Sequence, residues 1–229
     1  ITVNVDLIDE NNDQKIIIES ALEEISLPIS NTELLGVKSG LLSGDMLLND
    51  GNPQITMTAA LKELSHPKIH AKEANLKVEQ IESGFRYALD ALGNEKKPYQ
   101  LELAGDFLTA NEKSVITLDV LGSIVEVPIK TASTARVTLH NGDIMVAPFV
   151  LQLGEGKFSG NLEKNSSGIN ANLTSNDADL TPVSVLIDDL PIAGLLNGEV
   201  NLKTTSDALL SDYNLTLSNI ALLNNDTDV

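Results

Sequence analysis

Apolar and polar residues alternate with a period of two along most of this chain. Val3, Val5 and Leu7 are separated by Asn4 and Asp6, and after the polar cluster at 9–13 the alternation resumes at Ile16 and Ile18. Successive side chains of an extended backbone point to opposite faces, so this stretch reads as a strand, an Asx-rich turn and a second strand. The pattern recurs at Ile55/Met57, Leu101/Leu103, Ile116/Leu118, Val125/Val127, Val137/Leu139, Phe149/Leu151/Leu153, Ile169/Leu173, Val200/Leu202 and Leu215/Leu217. Between these runs stand turn formers: Asp50-Gly51-Asn52-Pro53, Gly93-Asn94, Asn141-Gly142, Gly154-Glu155-Gly156 and Asn165-Ser166-Ser167-Gly168. Hairpin-length spacing predicts roughly fourteen short strands in an antiparallel meander.

Two places break the rhythm. Ser30 with Glu33 three positions later has the spacing of a capping box ahead of Leu34 and Leu35, and predicts a short helix. Thr181-Pro182 sets a capping residue before a first-turn proline, with Val183, Leu186 and Ile187 on one helical face, and predicts a second.

After each predicted helix comes the same phrase. Residues 40–48 read GLLSGDMLL and residues 194–202 read GLLNGEVNL, so Gly40/Gly194, Leu41/Leu195, Leu42/Leu196, Gly44/Gly198 and Leu48/Leu202 match at a single offset of 154 residues. Both copies run strand, proline-bearing helix, G-L-L-x-G-acidic, strand, strand, which reads as an internal repeat with equivalents at about 16–64 and 169–222. Gly44 and Gly198 suit a bulge or bend where the chain rejoins the sheet. A second reading has each helix cap a groove, with Leu34/Leu35 and Val183/Leu186 packed on its floor.

A one-faced sheet must bury its apolar side, and two short helices do not cover fourteen strands that at ~4.8 Å spacing extend to ~65 Å. A second sheet, a closed barrel, or a curled sheet whose apolar interior receives a ligand remain. Composition now separates them. Hydrophobic residues are 42% of the 229 but aromatics only 3%, with no Trp. Packed sandwiches and barrels usually fill their centres with rings, whereas a lining of medium-sized aliphatic residues suits an acyl chain. Two chains of about 16 carbons carry on the order of 25 kcal/mol of transfer free energy, so leaving a membrane requires an equally apolar lining. The expected lining is Ile55, Met57, Leu101, Leu103, Ile116, Leu118, Val125, Val127, Val137, Leu139, Phe149, Leu151, Ile169, Leu173, Val200, Leu202, Leu215 and Leu217.

Charge excludes partners. Fifteen Lys and Arg against 33 Asp and Glu give a net charge of −18, which repels phosphate backbones and anionic membrane surfaces. Placed on the outward positions of the strands, the same charge keeps a large aliphatic sheet soluble and opposes edge-to-edge pairing. No apolar run reaches the ~18 residues of a membrane helix and no basic-then-apolar leader opens the chain. It begins at Ile1 without Met, and is expected to be a segment of a longer protein: residues 1–229 as one continuous stretch without an independent linker. The absence of cysteine removes disulfides and thiol chemistry,.

Candidate chemistry is sparse. His66 and His70 have the i, i+4 spacing of a helical zinc pair, but Pro67 follows His66 and the segment alternates like a strand, where such residues lie ~13 Å apart. Asp9, Asn11 and Asp13 imitate the start of a calcium loop, yet Gln14 stands where glycine is required and Ser20 where the bidentate Glu belongs. Asp188 and Asp189 are adjacent and point apart. With no nucleophile motif or phosphate-binding glycine loop, neither enzyme activity nor a cofactor is expected.

The order A-R-V-T-L-x-N-G (Ala135 to Gly142), V-L-Q-L-G-E-G-K-F-S-G-N-L (Val150 to Leu162), A-D-L-T-P-V-S-V-L (Ala178 to Leu186) and G-L-L-N-G-E-V-N-L (Gly194 to Leu202) resembles the repeats of TamB and the wider AsmA-like family of Gram-negative bacteria. The likeness is clearest over 134–222, partial over 16–64 and weak over 65–133, and does not separate TamB from its YdbH and YhdP relatives. It implies an elongated, curled antiparallel sheet, a U-shaped β-groove, in the periplasm. The parent would be anchored in the inner membrane, would carry phospholipid between the two membranes, and would support outer-membrane biogenesis with a TamA-like partner contacted by other regions. The family supplies no catalytic residues. Two rival roles fit the residues: a chaperone-like scaffold offering sheet edges to nascent outer-membrane strands, and a structural adhesin or stalk module with a dry core.

Overall fold

The computed structural model describes residues 1–10, 13–28, 34–49, 52–66, 70–93, 98–186, 192–204 and 208–222. These residues are almost wholly antiparallel β-sheet, with fifteen strands and one helix. They fall into two compact units, 1–107 and 108–229.

Unit 1 is a meander of β1 (Thr2–Glu10), β2 (Asp13–Pro28), β3 (Leu34–Asn49), β4 (Asn52–Ser65), β5 (His70–Ile81) and β6 (Gly84–Gly93), each paired to the next, with β7 (Tyr99–Ala110) beside β6. The strands are longer than the sequence spacing predicts: β2 and β3 have 16 residues each. Short alternating runs separated by Ser, Ala and Gly read as separate strands, whereas ladder pairing on both sides of β3 carries the extended backbone through them. The helix expected after Ser30 is absent from its described part. Leu34 and Leu35 open β3, paired to Pro28 and Leu27, because ladder bonds to β2 outcompete a helix with one capping signal; Ser30 and Glu33 lie outside the described residues.

Unit 2 contains β8 (Lys113–Ile124), β9 (Val127–Ser133), β10 (Ala135–His140), β11 (Asp143–Leu153), β12 (Gly156–Asn165), β13 (Gly168–Asp179), α1 (Thr181–Leu186), β14 (Ile192–Thr204) and β15 (Leu209–Leu222). β9 and β10 act as one strand broken at Thr134, both lying between β8 and β11. Asp119 holds the break: its carboxylate accepts from the hydroxyls of Thr131 at 3.1 Å and Thr134 at 3.0 Å.

The turns follow their chemistry. Asn141 and Gly142 take φ values of 49° and 85°, the paired left-handed conformation that the Asn-Gly dipeptide predicts. Val125 departs from expectation. It is not a strand residue; with Glu126 it forms the two-residue turn between β8 and β9, at φ 49° and 64°. Alternation alone cannot place a turn with no glycine or asparagine in it, and here pairing of Ile124 with Val127 imposes the conformation.

The second predicted helix is present as α1, one and a half turns long. Its start is fixed by Asp179, whose Oδ1 accepts from the Thr181 amide at 2.8 Å, and by the Val183 amide donating to the Leu180 carbonyl at 2.9 Å. The two G-L-L-x-G phrases both lie in the middle strand of a three-strand set, β2-β3-β4 and β13-β14-β15. In both sets the flanking strands carry a left-handed residue, Glu24 and Glu63 in the first, Asp177 and Asn219 in the second.

Candidate functional site: the apolar sheet face

Residues directly opposite in an antiparallel pair share a face, so the registers assign every strand position to one side. In unit 1 one row runs Val5, Ile18, Gly44, Met57, Val78, Tyr87 from β1 to β6, and the next runs Leu7, Ile16, Met46, Ile55. Ile55 and Met57, predicted as lining, are therefore on one continuous apolar face. In β7, Leu101 and Leu103 alternate with Gln100 and Glu102. Asp106 bonds Arg86 at 2.9 Å on the polar side, which puts the two leucines on the apolar side.

In unit 2 the rows are equally continuous. Ile116, Val137, Val146, Leu162, Ala171 and Leu202 form one. Phe149, Gly160, Leu173 and Val200 form the next, then Leu151, Phe158, Ser175, Gly198 and Leu215. Leu118, Leu139 and Ile169 join the same side, as do Leu217 opposite Leu196 and Val127 opposite Ile124. A β-bulge between Val146 and Phe149 restores the phase, so an extra residue in β11 does not turn Phe149 outward,. Gly160 leaves room for the Phe149 ring, which meets Phe158 at 6.3 Å between centroids and 47° between planes. Of the predicted lining residues only Val125 lies off this face, in its turn.

Seventeen aliphatic and aromatic side chains on one face would be core in a sandwich. None of them is buried here. Met57 is 56% exposed and Leu215 48%. Among the described residues, the apolar face of each unit taken by itself thus lacks the covering layer that a sandwich or closed barrel supplies.

Most buried apolar residues stand toward one strand end of each unit, although Ala171 and Thr138 are buried nearer the other end of unit 2. In unit 1 the former are Leu22, Val37, Ala71 and Ala74, and in unit 2 Ile124, Ile129, Leu153 and Ala178, with Pro182 of α1 fully buried. α1 lies against β14 and the β8 strand. It closes that end of unit 2, while at the opposite end Leu139, Ile144 and Ile169 stay partly accessible. The sequence named Leu153 only within the alternation of its strand and did not single out Ile124 or Ile129, because nothing local marks which end of a strand will be buried.

The other face is polar. Lys15 pairs with Asp45 at 3.9 Å, Lys77 with Glu79, and Arg86 with Asp106 at 2.9 Å. The hydrogen bond to Asp106 raises the Arg86 guanidinium above its ordinary value, and that to Lys77 lowers the Glu79 carboxyl. Near the closed end of unit 2 a cleft is lined by Glu126, Glu155, Asp177 and Asp179, where the Asn197 amide donates to Asp177 at 2.7 Å. No set of three metal-ligating side chains converges among the described residues. Asp9 and Asp13 stand at the ends of the β1–β2 hairpin; Asn11, Asp188 and Asp189 lie outside the described residues. His70 pairs with Ser65 in the β4–β5 ladder.

The repeat-equivalent glycines behave differently. Gly198 has φ 126° and a Cβ there would sit 1.8 Å from the Asn214 carbonyl oxygen, whereas Gly44 has open space beside it and no left-handed φ. A bend that demands glycine therefore exists in β14 and not in β3. Comparisons with protein-family models, with curated proteins and with solved structures return no match to this chain.

Proposed function

We propose that this chain is a segment of a periplasmic protein that carries phospholipid acyl chains along its apolar sheet face. The observation that carries this reading is the uncovered row-by-row aliphatic face: it offers the continuous apolar lining that an acyl chain requires outside a membrane. On this reading the parent is a TamB-like protein anchored in the inner membrane of a Gram-negative bacterium. It carries lipid between the inner and outer membranes and supports outer-membrane biogenesis with a TamA-like partner, without covalent chemistry.

Photo-crosslinkers at Leu118 and Leu139, which share the apolar face, should capture lipid in bacteria, and lipid mass spectrometry of the purified chain should identify it. Crosslinkers at Thr117 and Arg136, which pair with each other on the polar face, should not. Equal labelling at all four positions, or lipid at none, overturns the proposal.

A second reading is a scaffold that accepts nascent strands by edge addition. It is favoured by β15, which among the described residues pairs with β14 alone and is exposed along most of its length. Capture of unfolded β-strands at Tyr213 and Leu215, with no lipid at Leu118, would select it.

A further inference from the structure

The apolar face of unit 2 has a polarity of its own. Ile124, Ile129, Leu153 and Ala178 are buried at the strand end from which α1 departs, with Ala171 buried nearer the other. At the other end, the registers put a single charged residue on this face among the described residues: Lys164, between Ile144 of β11 and Ile169 of β13. The remaining cations of the unit, Lys113, Lys130, Arg136, Lys157 and Lys203, are opposite residues of the polar face. Lys164 forms no ion pair among the described residues and is exposed. A lysine with no carboxylate to hold it, in a chain of net charge −18, has its stem over apolar rows and its ammonium at their rim.

We infer that Lys164 receives the phosphate of a bound phospholipid whose acyl chains run along the strands toward the α1 end. This inference rests on the acyl-carrying reading and adds the orientation and the head group to it. From Lys164 to Gly156, β12 extends ~26 Å at 3.3 Å per residue, longer than the ~15 Å that a chain spans in one leaflet. An acyl chain is therefore accommodated whole between the ammonium and the closed end.

The test uses the full chain with two probes of identical acyl chains: phosphatidic acid, and diacylglycerol, which lacks the phosphate. Lys164→Gln should weaken phosphatidic acid binding roughly threefold to fivefold, the scale of one exposed ion pair, and leave diacylglycerol binding unchanged. Lys157→Gln removes the same charge from the polar face and should change neither. A phosphatidic acid with a photoreactive acyl terminus should mark peptides containing Ile129 or Leu153, not Ile144 or Ile169. Equal loss in the two variants overturns the phosphate assignment, and labelling at Ile144 or Ile169 overturns the orientation; in both cases retained diacylglycerol binding leaves the acyl-carrying reading standing. If wild-type protein binds neither probe, that reading fails, and this inference with it.

Discussion

At the scale of single residues, matching sequence does not mean matching backbone. Gly44 and Gly198 occupy corresponding places in the two G-L-L-x-G phrases, yet only Gly198 has a left-handed φ and a carbonyl in the way of a side chain. Gly198→Ala should therefore destabilise the protein by roughly 1–3 kcal/mol, while Gly44→Ala should stay within about 0.5 kcal/mol; denaturant melts of the two variants check this. Tyr99 makes a second residue-scale case. Its Oη donates to the His70 carbonyl at 3.0 Å, and burial raises its phenol above the ordinary value of 10.0. The folded state keeps the phenol neutral, so this contribution is intact below pH 10 and is lost as pH rises through the raised value. Tyr99→Phe should cost about 1 kcal/mol at neutral pH and should abolish that part of the alkaline decline, measured by melts across pH 8 to 11. The sequence showed neither effect, since both depend on an atom from a strand distant in the chain.

Among the elements, burial of aliphatic residues on the apolar face ranges widely, and stability should vary with it. Ile124 is 2% exposed under α1 and Leu7 is 70% exposed in β1. Ile124→Ala should cost about 3 kcal/mol and Leu7→Ala less than about 0.5 kcal/mol, although both are aliphatic residues on the apolar face. Asp179→Ala removes the acceptor that starts α1 and should cost about 1 kcal/mol, read by thermal melting and by loss of amide protection at Thr181. Strand existence and phase were legible: Ile116, Val137 and Leu173 lie on the apolar face that their alternation predicts. Strand extent was not, because β2 and β3 continue through Ser and Gly positions on the strength of pairing from both sides. At Leu34 and Leu35 the expected helix gives way to β3 for the same reason: capping and spacing are weak beside a ladder.

For the whole molecule, accessible area and charge together set behaviour in solution. Apolar faces that stay partly accessible among the described residues leave less area to expose on unfolding than a packed core does, so the urea m-value per residue should be low. The native chain should also bind a hydrophobic dye at neutral pH, and phospholipid should displace it. The charge of −18 should hold copies apart, and acidification that neutralises the carboxylates should bring association, seen by light scattering. The sequence by itself determined that this is a two-faced β chain and which residues belong to which face, because alternation follows from the covalent geometry of an extended backbone. Tertiary structure decided where strands end, that Val125 turns instead of lining the face, that the face stays uncovered, which end α1 closes and that Lys164 stands alone at the other. Those features arise from pairing and packing between residues far apart in the chain, which no local pattern encodes.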